Sequence, residues 1–137
     1  MSTMVLNMLL KIIGLGMNET LILIALLFTK HFVVDFPLQT KFQWSNKGTY
    51  GHVGGILHSA LHGFATWMCL FWFAPEAAVY LAFLDFVVHY HIDWVKMNLN
   101  AKMGWKPDNS EYFWWLLGAD QFLHAMTYVF LVMMVTK

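Results

Sequence analysis

Four apolar stretches of the sequence each carry two side chains of the kind that bind metal ions, spaced four residues apart. Residues four apart lie on one face of an α-helix. Imidazole and carboxylate groups are costly in apolar surroundings unless something pairs with them. The sequence therefore predicts four helices that turn these groups toward one another. The pairs are His31/Asp35, His58/His62, His89/Asp93 and Asp120/His124.

Together these pairs supply five imidazoles and three carboxylates, which is too many ligands for one tetrahedral ion. The set suits two ions that share bridging carboxylates, or one ion surrounded by further Asp–His hydrogen bonds. Mixed imidazole and carboxylate donors favour a divalent transition metal such as Zn, Mn or Fe over Ca or Mg. We therefore predict all eight residues as metal ligands.

Further polar residues beside these pairs are candidates for catalysis or substrate binding. His31 is a ligand or a general base. Asp85 precedes His89 by four residues and lies deeper in its helix, where it is a hydrogen-bond partner of the ligands, a proton acceptor or a packing acid. Gln39, Lys41 and Lys96 follow at the mouth of the predicted site and are candidate substrate contacts. For Gln39 and Lys41 the alternative is a plain interfacial loop, and for Lys96 it is that its ammonium reaches the lipid headgroups.

The composition indicates an integral membrane protein. Of 137 residues, 59% are apolar, 18% are aromatic and only 12% are charged, whereas soluble domains are about 25% charged. The net charge is zero and the eight basic residues are all lysines. Because no basic patch is present, we expect no nucleic-acid partner, and the lipid bilayer is the expected environment.

The predicted architecture is all-α, with one domain over residues 1–137 that forms an up-down bundle of four transmembrane helices. Proline and polar segments separate the apolar runs, and each run is close to the roughly 20 residues that span a bilayer. Residues 1–17 are short, apolar and interrupted by glycine, and we assign them to an interfacial segment, with a frayed leader as the alternative. The predicted helices cover residues 18–36, 52–74, 76–98 and 111–136.

This topology places all four pairs at the same depth. Two pairs lie near the ends of upward helices and two near the starts of downward ones, so they share one half of the membrane. The loops on that side, 37–51 and 96–110, carry most of the lysines. The positive-inside rule then assigns this side to the cytoplasm, in a bacterial inner membrane.

Four sequence elements carry a resemblance to a known family. They are HFVVDFPLQT from His31, LHSALH from Leu57, HYHIDWVK from His89 and DQFLHA from Asp120. Together they resemble the domain of unknown function 3307 family of small bacterial and phage membrane proteins, over residues 29–132. The resemblance implies a membrane protein, encoded by a bacterium or a phage, and brings no activity. In style rather than sequence, the pairs resemble those of membrane-bound metal-dependent hydrolases.

Three classes of function fit these observations. The first is a metal-dependent hydrolase acting on a lipid headgroup or a small phosphorylated or amide substrate, since a metal ion activates water at neutral pH. The second is an interaction protein with a structural metal or polar network, whose partner is a second copy of the chain or a host membrane protein. The third is a metal or proton transporter. This class is disfavoured because the other halves of the predicted helices offer no charged path for an ion.

Overall fold

The computed structural model describes residues 19–136, and every regular element in that range is helical. The all-α class predicted from the sequence is therefore confirmed for this range. The predicted interfacial segment, residues 1–17, lies outside the described residues. The helices are α1 (Glu19–Asp35), α2 (Lys41–Trp44), α3 (Val53–Leu70), α4 (Pro75–Met103) and α5 (Glu111–Val135).

The carboxyl ends of two long helices differ from the prediction. α3 ends at Leu70 rather than at residue 74, and α4 continues through residues 99–103, which were predicted to be a loop. Gly104 ends α4 with a φ of 67°, a left-handed conformation that costs glycine little. Residues 99–103 form the exposed end of a helix. An exposed helix end and a loop have similar polar composition, so the sequence alone did not distinguish them.

An apolar core at one end of the bundle shows the direction of each helix. Leu23 and Leu27, early in α1, pack with Leu70 at the end of α3, Leu81 near the start of α4 and Leu131 near the end of α5. The starts of α1 and α4 therefore meet the ends of α3 and α5. α1 and α4 each pack against both α3 and α5, so the long helices form an antiparallel four-membered ring.

Two glycines of α3 allow its neighbours to approach closely. A Cβ on Gly54 would lie 2.5 Å from the carbonyl oxygen of Phe42, so the α2 segment rests directly on the start of α3. A Cβ on Gly63 would lie 3.0 Å from the carbonyl oxygen of Ala82 in α4. The first approach packs the connection between α1 and α3 against the bundle.

Among the described helices, α5 alone is long and apolar enough to cross a membrane by length and composition. α1 has 17 residues, fewer than the roughly 20 that a span needs. α4 is long enough, but Asp85, His89, Asp93 and Lys96 interrupt its apolar sequence. One such helix is weak evidence for a membrane protein, and the four spans remain a prediction.

Candidate metal centre

The four predicted pairs lie together in the half of the bundle opposite the apolar core. Each pair occupies a different long helix, and the antiparallel directions bring them to one level. All eight side chains are buried, with between 0% and 8% of each residue exposed. The structure thus gathers them as their spacing and depth predicted, while their role as ligands remains a prediction. The residues are His31, Asp35, His58, His62, His89, Asp93, Asp120 and His124.

Three histidine Nε2 atoms surround one carboxylate oxygen. From Asp35 Oδ1 the distances are 3.0 Å to His58, 3.2 Å to His62 and 3.8 Å to His89. The Nε2 atoms of His58 and His89 are 3.1 Å apart. Asp93 Oδ2 lies 3.4 Å from each of these two Nε2 atoms. Five ligand-type atoms from three helices therefore face one small volume.

These separations match the spacing of donor atoms around a small metal ion. A tetrahedral zinc site with bonds of about 2.0–2.1 Å places its donors about 3.3–3.4 Å apart. Four residues, Asp35, His58, His62 and His89, each offer one ligand atom within 4.8 Å of the others. We call these four residues the first group, and its donor set suits a divalent transition metal.

A second group, His89, Asp93 and His124, lies beside the first and shares His89 with it. His124 Nε2 is 3.8 Å from Asp93 Oδ1 and 3.5 Å from Asp120 Oδ1. His124 Nε2 and Asp120 Oδ1 are both buried without a hydrogen-bond partner among the described residues, which is rare for polar atoms in proteins. Since Asp93 turns one oxygen to each group, it is the residue suited to bridge two ions.

His31 makes hydrogen bonds with both of its ring nitrogens. Nδ1 lies 2.8 Å from the hydroxyl of Tyr128, and Nε2 lies 3.0 Å from Oε1 of Gln121 and 3.2 Å from Asp35 Oδ2. His31 therefore contacts Oδ2 of Asp35, while the three histidines of the first group surround its Oδ1. This places it next to the candidate ligands rather than among the atoms that face the common centre.

Asp85 is paired away from the centre, deeper in the bundle. Its Oδ2 accepts hydrogen bonds from Lys30 Nζ at 2.7 Å and from the Thr66 hydroxyl at 2.6 Å. Lys30 also lies 3.3 Å from Nδ1 of His62. An ammonium only donates, so this nitrogen accepts, and a neutral His62 carries its proton on Nε2 and donates it to Asp35 Oδ1 at 3.2 Å. Asp85 is thus connected through Lys30 to His62 of the first group.

Two further lysines that sequence reasoning did not assign to the cluster reach its carboxylates. Lys47 Nζ lies 2.7 Å from Asp93 Oδ2 and 3.9 Å from Asp35 Oδ1. Lys96 Nζ lies 3.0 Å from Asp120 Oδ2 and 3.5 Å from Asp93 Oδ1. Lys47 sits in a polar connection where no helical spacing relates it to the pairs. Lys96 follows Asp93 by three residues, and this helical spacing is the sequence signal that the two side chains lie close together.

A cavity of about 160 Å³ opens beside the cluster. Of the predicted substrate contacts, Gln39 and Lys96 line it, whereas Lys41 is exposed at the start of α2 and does not. Gln39 donates a hydrogen bond to the carbonyl oxygen of Asp35, and its own Oε1 is buried without a partner. The remaining lining residues include Asp35, Trp44, Lys47, Met97 and Gln121.

A family model described as "Protein of unknown function (DUF3307)" matches residues 22–137, which include all four pairs. No curated protein matches the chain. No solved structure matches it either.

Proposed function

The chain belongs to the DUF3307 family, whose function is unknown, and we propose that it is a membrane-embedded, metal-dependent hydrolase. One observation carries the proposal. The Nε2 atoms of His58 and His89 and a carboxylate oxygen of Asp35 converge from three helices to within 3.0–3.8 Å of one another, fully inside the bundle. Bundle metalloproteins place their ligands inward from facing helices in the same way.

In this proposal Asp35, His58 and His89 hold the first ion, and Asp93 completes its ligands. His62 is a positioning residue, because its Nε2 proton is directed at Asp35 and Lys30 occupies its other nitrogen. A second ion would be bound by the unpartnered atoms of Asp120 and His124, with Asp93 as the bridge. The donors favour Zn, Mn or Fe.

The membrane setting is supported by apolar side chains that face outward while charged ones are buried. Trp72, just before α4, is 83% exposed, and Tyr80 and Phe83 on α4 are 76% and 65% exposed. Asp85 and His89 on the same helix are at most 1% exposed. Large exposed apolar surfaces require cover, and a bilayer covers such a surface all round. We place the cluster on the cytoplasmic side of a bacterial inner membrane, on the charge of the adjoining loops.

The hydrolase assignment is supported by the cavity next to the cluster. A metal ion activates water and polarises the bond to be cleaved, and the cavity gives a substrate access to both. Gln39 offers a buried, unpartnered oxygen to that substrate. His31, held by Tyr128 and next to Asp35, is the residue best placed to move a proton. The substrate is a lipid headgroup or a small phosphorylated or amide compound.

A polar network without metal is the second candidate, and three lysines that pair with the buried carboxylates favour it. Lys30, Lys47 and Lys96 already neutralise charge on Asp85, Asp93 and Asp120. Such a network would fix helix register in an interaction protein that binds a host membrane protein or a second copy of the chain. Transport is less well supported, because an apolar core fills the other end of the described bundle.

Elemental analysis of the protein purified in mild detergent tests the proposal. About two transition-metal equivalents per chain support both ions, and about one supports the first group alone. The metal should be lost in a His58→Ala/Asp93→Ala double variant. It should be kept in a His91→Ala/Asp108→Ala variant, which changes the same residue types at exposed positions. Metal-free wild-type protein with its fold intact would move the assignment to the polar network.

A further inference from the structure

Two ammonium groups, that of the buried Lys47 and that of the partly buried Lys96, stand at the edges of the two ligand groups. Lys47 Nζ touches Asp93 Oδ2 at 2.7 Å and approaches Asp35 Oδ1 at 3.9 Å, the two carboxylate oxygens that face the first group. Lys96 Nζ lies between Asp120 Oδ2 at 3.0 Å and Asp93 Oδ1 at 3.5 Å, beside the second group. Each group of candidate ligands therefore has one lysine that supplies positive charge.

A divalent ion and these lysines compete for the same oxygens. An ion bound between Asp35 and Asp93 would lie within a few ångströms of Lys47, where two positive charges repel strongly because little water screens them. It would also take over the carboxylate charge that now holds the ammonium. Metal binding therefore removes the reason for Lys47 to stay in place, and Lys96 is affected in the same way through Asp93.

The cavity is where the released lysines can go. Both Lys47 and Lys96 already line it, together with Gln39 and Gln121. Its volume of about 160 Å³ holds about five water molecules at about 30 Å³ each. Two ammonium groups without carboxylate partners in such a space need an anion, because an unpaired buried charge is strongly unfavourable.

Resting on the metal binding proposed above, we propose that Lys47 and Lys96 form a phosphate-binding site that metal binding switches on. Without metal the lysines pair with Asp35, Asp93 and Asp120. With metal they turn into the cavity and bind a phosphate monoester. A dianionic phosphoryl group matches two lysine charges, which act as point charges toward phosphate oxygens, whereas a single carboxylate would leave one lysine unpaired. Metal and phosphate then raise each other's affinity, as linkage requires.

Calorimetric titration of the detergent-purified protein tests this, with Zn²⁺ and micromolar inorganic phosphate as the probes. Phosphate should bind about tenfold or more tightly to the Zn²⁺-loaded protein than to the metal-free protein. Lys47→Gln and Lys96→Gln should each reduce this enhancement, and Lys47→Gln should bind Zn²⁺ as tightly as wild type or more tightly. Lys41→Gln is the matched control, because Lys41 is exposed outside the cavity.

The Lys47→Gln outcome separates a switch from a structural lysine, since misfolding would weaken Zn²⁺ binding rather than preserve or strengthen it. Zn²⁺ binding that enhances the binding of neither inorganic phosphate nor phosphatidic acid overturns this inference and leaves the metal centre standing. Failure of wild-type protein to bind Zn²⁺ overturns both. Nanodiscs with and without short-chain phosphatidic acid identify the source of the phosphate. Enhancement with the lipid but not with inorganic phosphate assigns a lipid headgroup, and enhancement with both assigns a small phosphorylated compound as well.

Discussion

The Nε2 atoms of His58 and His89, on neighbouring helices α3 and α4, lie 3.1 Å apart inside the bundle. At most one proton fits between two imidazole nitrogens at this distance, so at least one of the two directs an unprotonated lone pair at the other ring. Both residues are completely buried. One ring therefore donates to the other in the absence of metal, whereas a metal ion would accept the lone pairs of both rings at once.

Replacement of His58 should abolish metal binding, whereas replacement of His62 should only weaken it. His58→Ala removes a donor atom that faces the common centre. His62→Ala removes the Nε2 proton donor to Asp35, and the loss of such a supporting hydrogen bond typically costs about 10–100-fold in metal affinity. Competition with a chelating dye measures both. Equal loss of affinity in the two variants would show that His62 is itself a ligand.

Acidification should release the metal. Imidazole binds a metal ion only in its neutral form, so protons compete with the ion for His58 and His89. The affinity should therefore fall as the pH is lowered, by about tenfold per pH unit for each ligand histidine that becomes protonated. Zn²⁺ titrations at several pH values check this, and affinity that stays constant until acid unfolds the protein would contradict histidine ligation.

The convergence of the four pairs was predictable because it depends on two simple periodicities. The spacing of four residues set the helix face, and the antiparallel order of the helices set the depth. His31 shows where this reasoning ends, since the spacing does not reveal that Tyr128 and Gln121 would bind its ring nitrogens. Those contacts depend on side-chain packing between α1 and α5.

The lysines were the main omission, for a physical reason. Lys30 follows an apolar run in the sequence, and its side chain lies buried at 7% exposure against Asp85. Lys47 is brought to Asp93 only because the connection packs on Gly54 at the start of α3. The sequence shows the glycine at this position, but it does not show which segment packs against it. Contacts between a loop and a distant helix have no period to detect.

Breaking the Lys30–Asp85 pair should strongly destabilise the bundle. Asp85→Asn leaves the Lys30 ammonium buried without its anionic partner, and loss of one partner of a buried pair typically costs about 3–5 kcal/mol. The paired change Lys30→Met/Asp85→Leu removes both charges and should cost less. Equilibrium unfolding in mixed detergent measures both variants. A larger loss in the double variant would show that the pair supplies net stability.

Gln39→Ala should lower turnover while it leaves metal content unchanged. Gln39 lines the cavity and bonds to the backbone of Asp35, but it offers no atom to either group of ligands. Elemental analysis beside turnover of a chromogenic phosphomonoester separates the two effects. Thr49→Ala serves as a surface control in the same connection, because Thr49 is exposed. A parallel loss of metal would show that Gln39 supports the ligands rather than the substrate.

The packing of α3 on α4 depends on the absence of a side chain at Gly63. A Cβ there would lie 3.0 Å from both the carbonyl oxygen of Ala82 and the Cβ of Phe86, so Gly63→Ala must push the helices apart. Overpacking of this kind costs about 1–3 kcal/mol, and the shift also moves His58 and His62 away from His89. Gly118→Ala is the matched control, since within residues 19–136 its added Cβ would meet no atom within 4 Å beyond its chain neighbours and its own helical backbone, and replacing a helical glycine should stabilise by about 0.5–1 kcal/mol. Unfolding in detergent and Zn²⁺ affinity should therefore both decline in the first variant and not in the second. Unchanged Zn²⁺ affinity in Gly63→Ala would show that the metal centre tolerates a change in the α3–α4 distance.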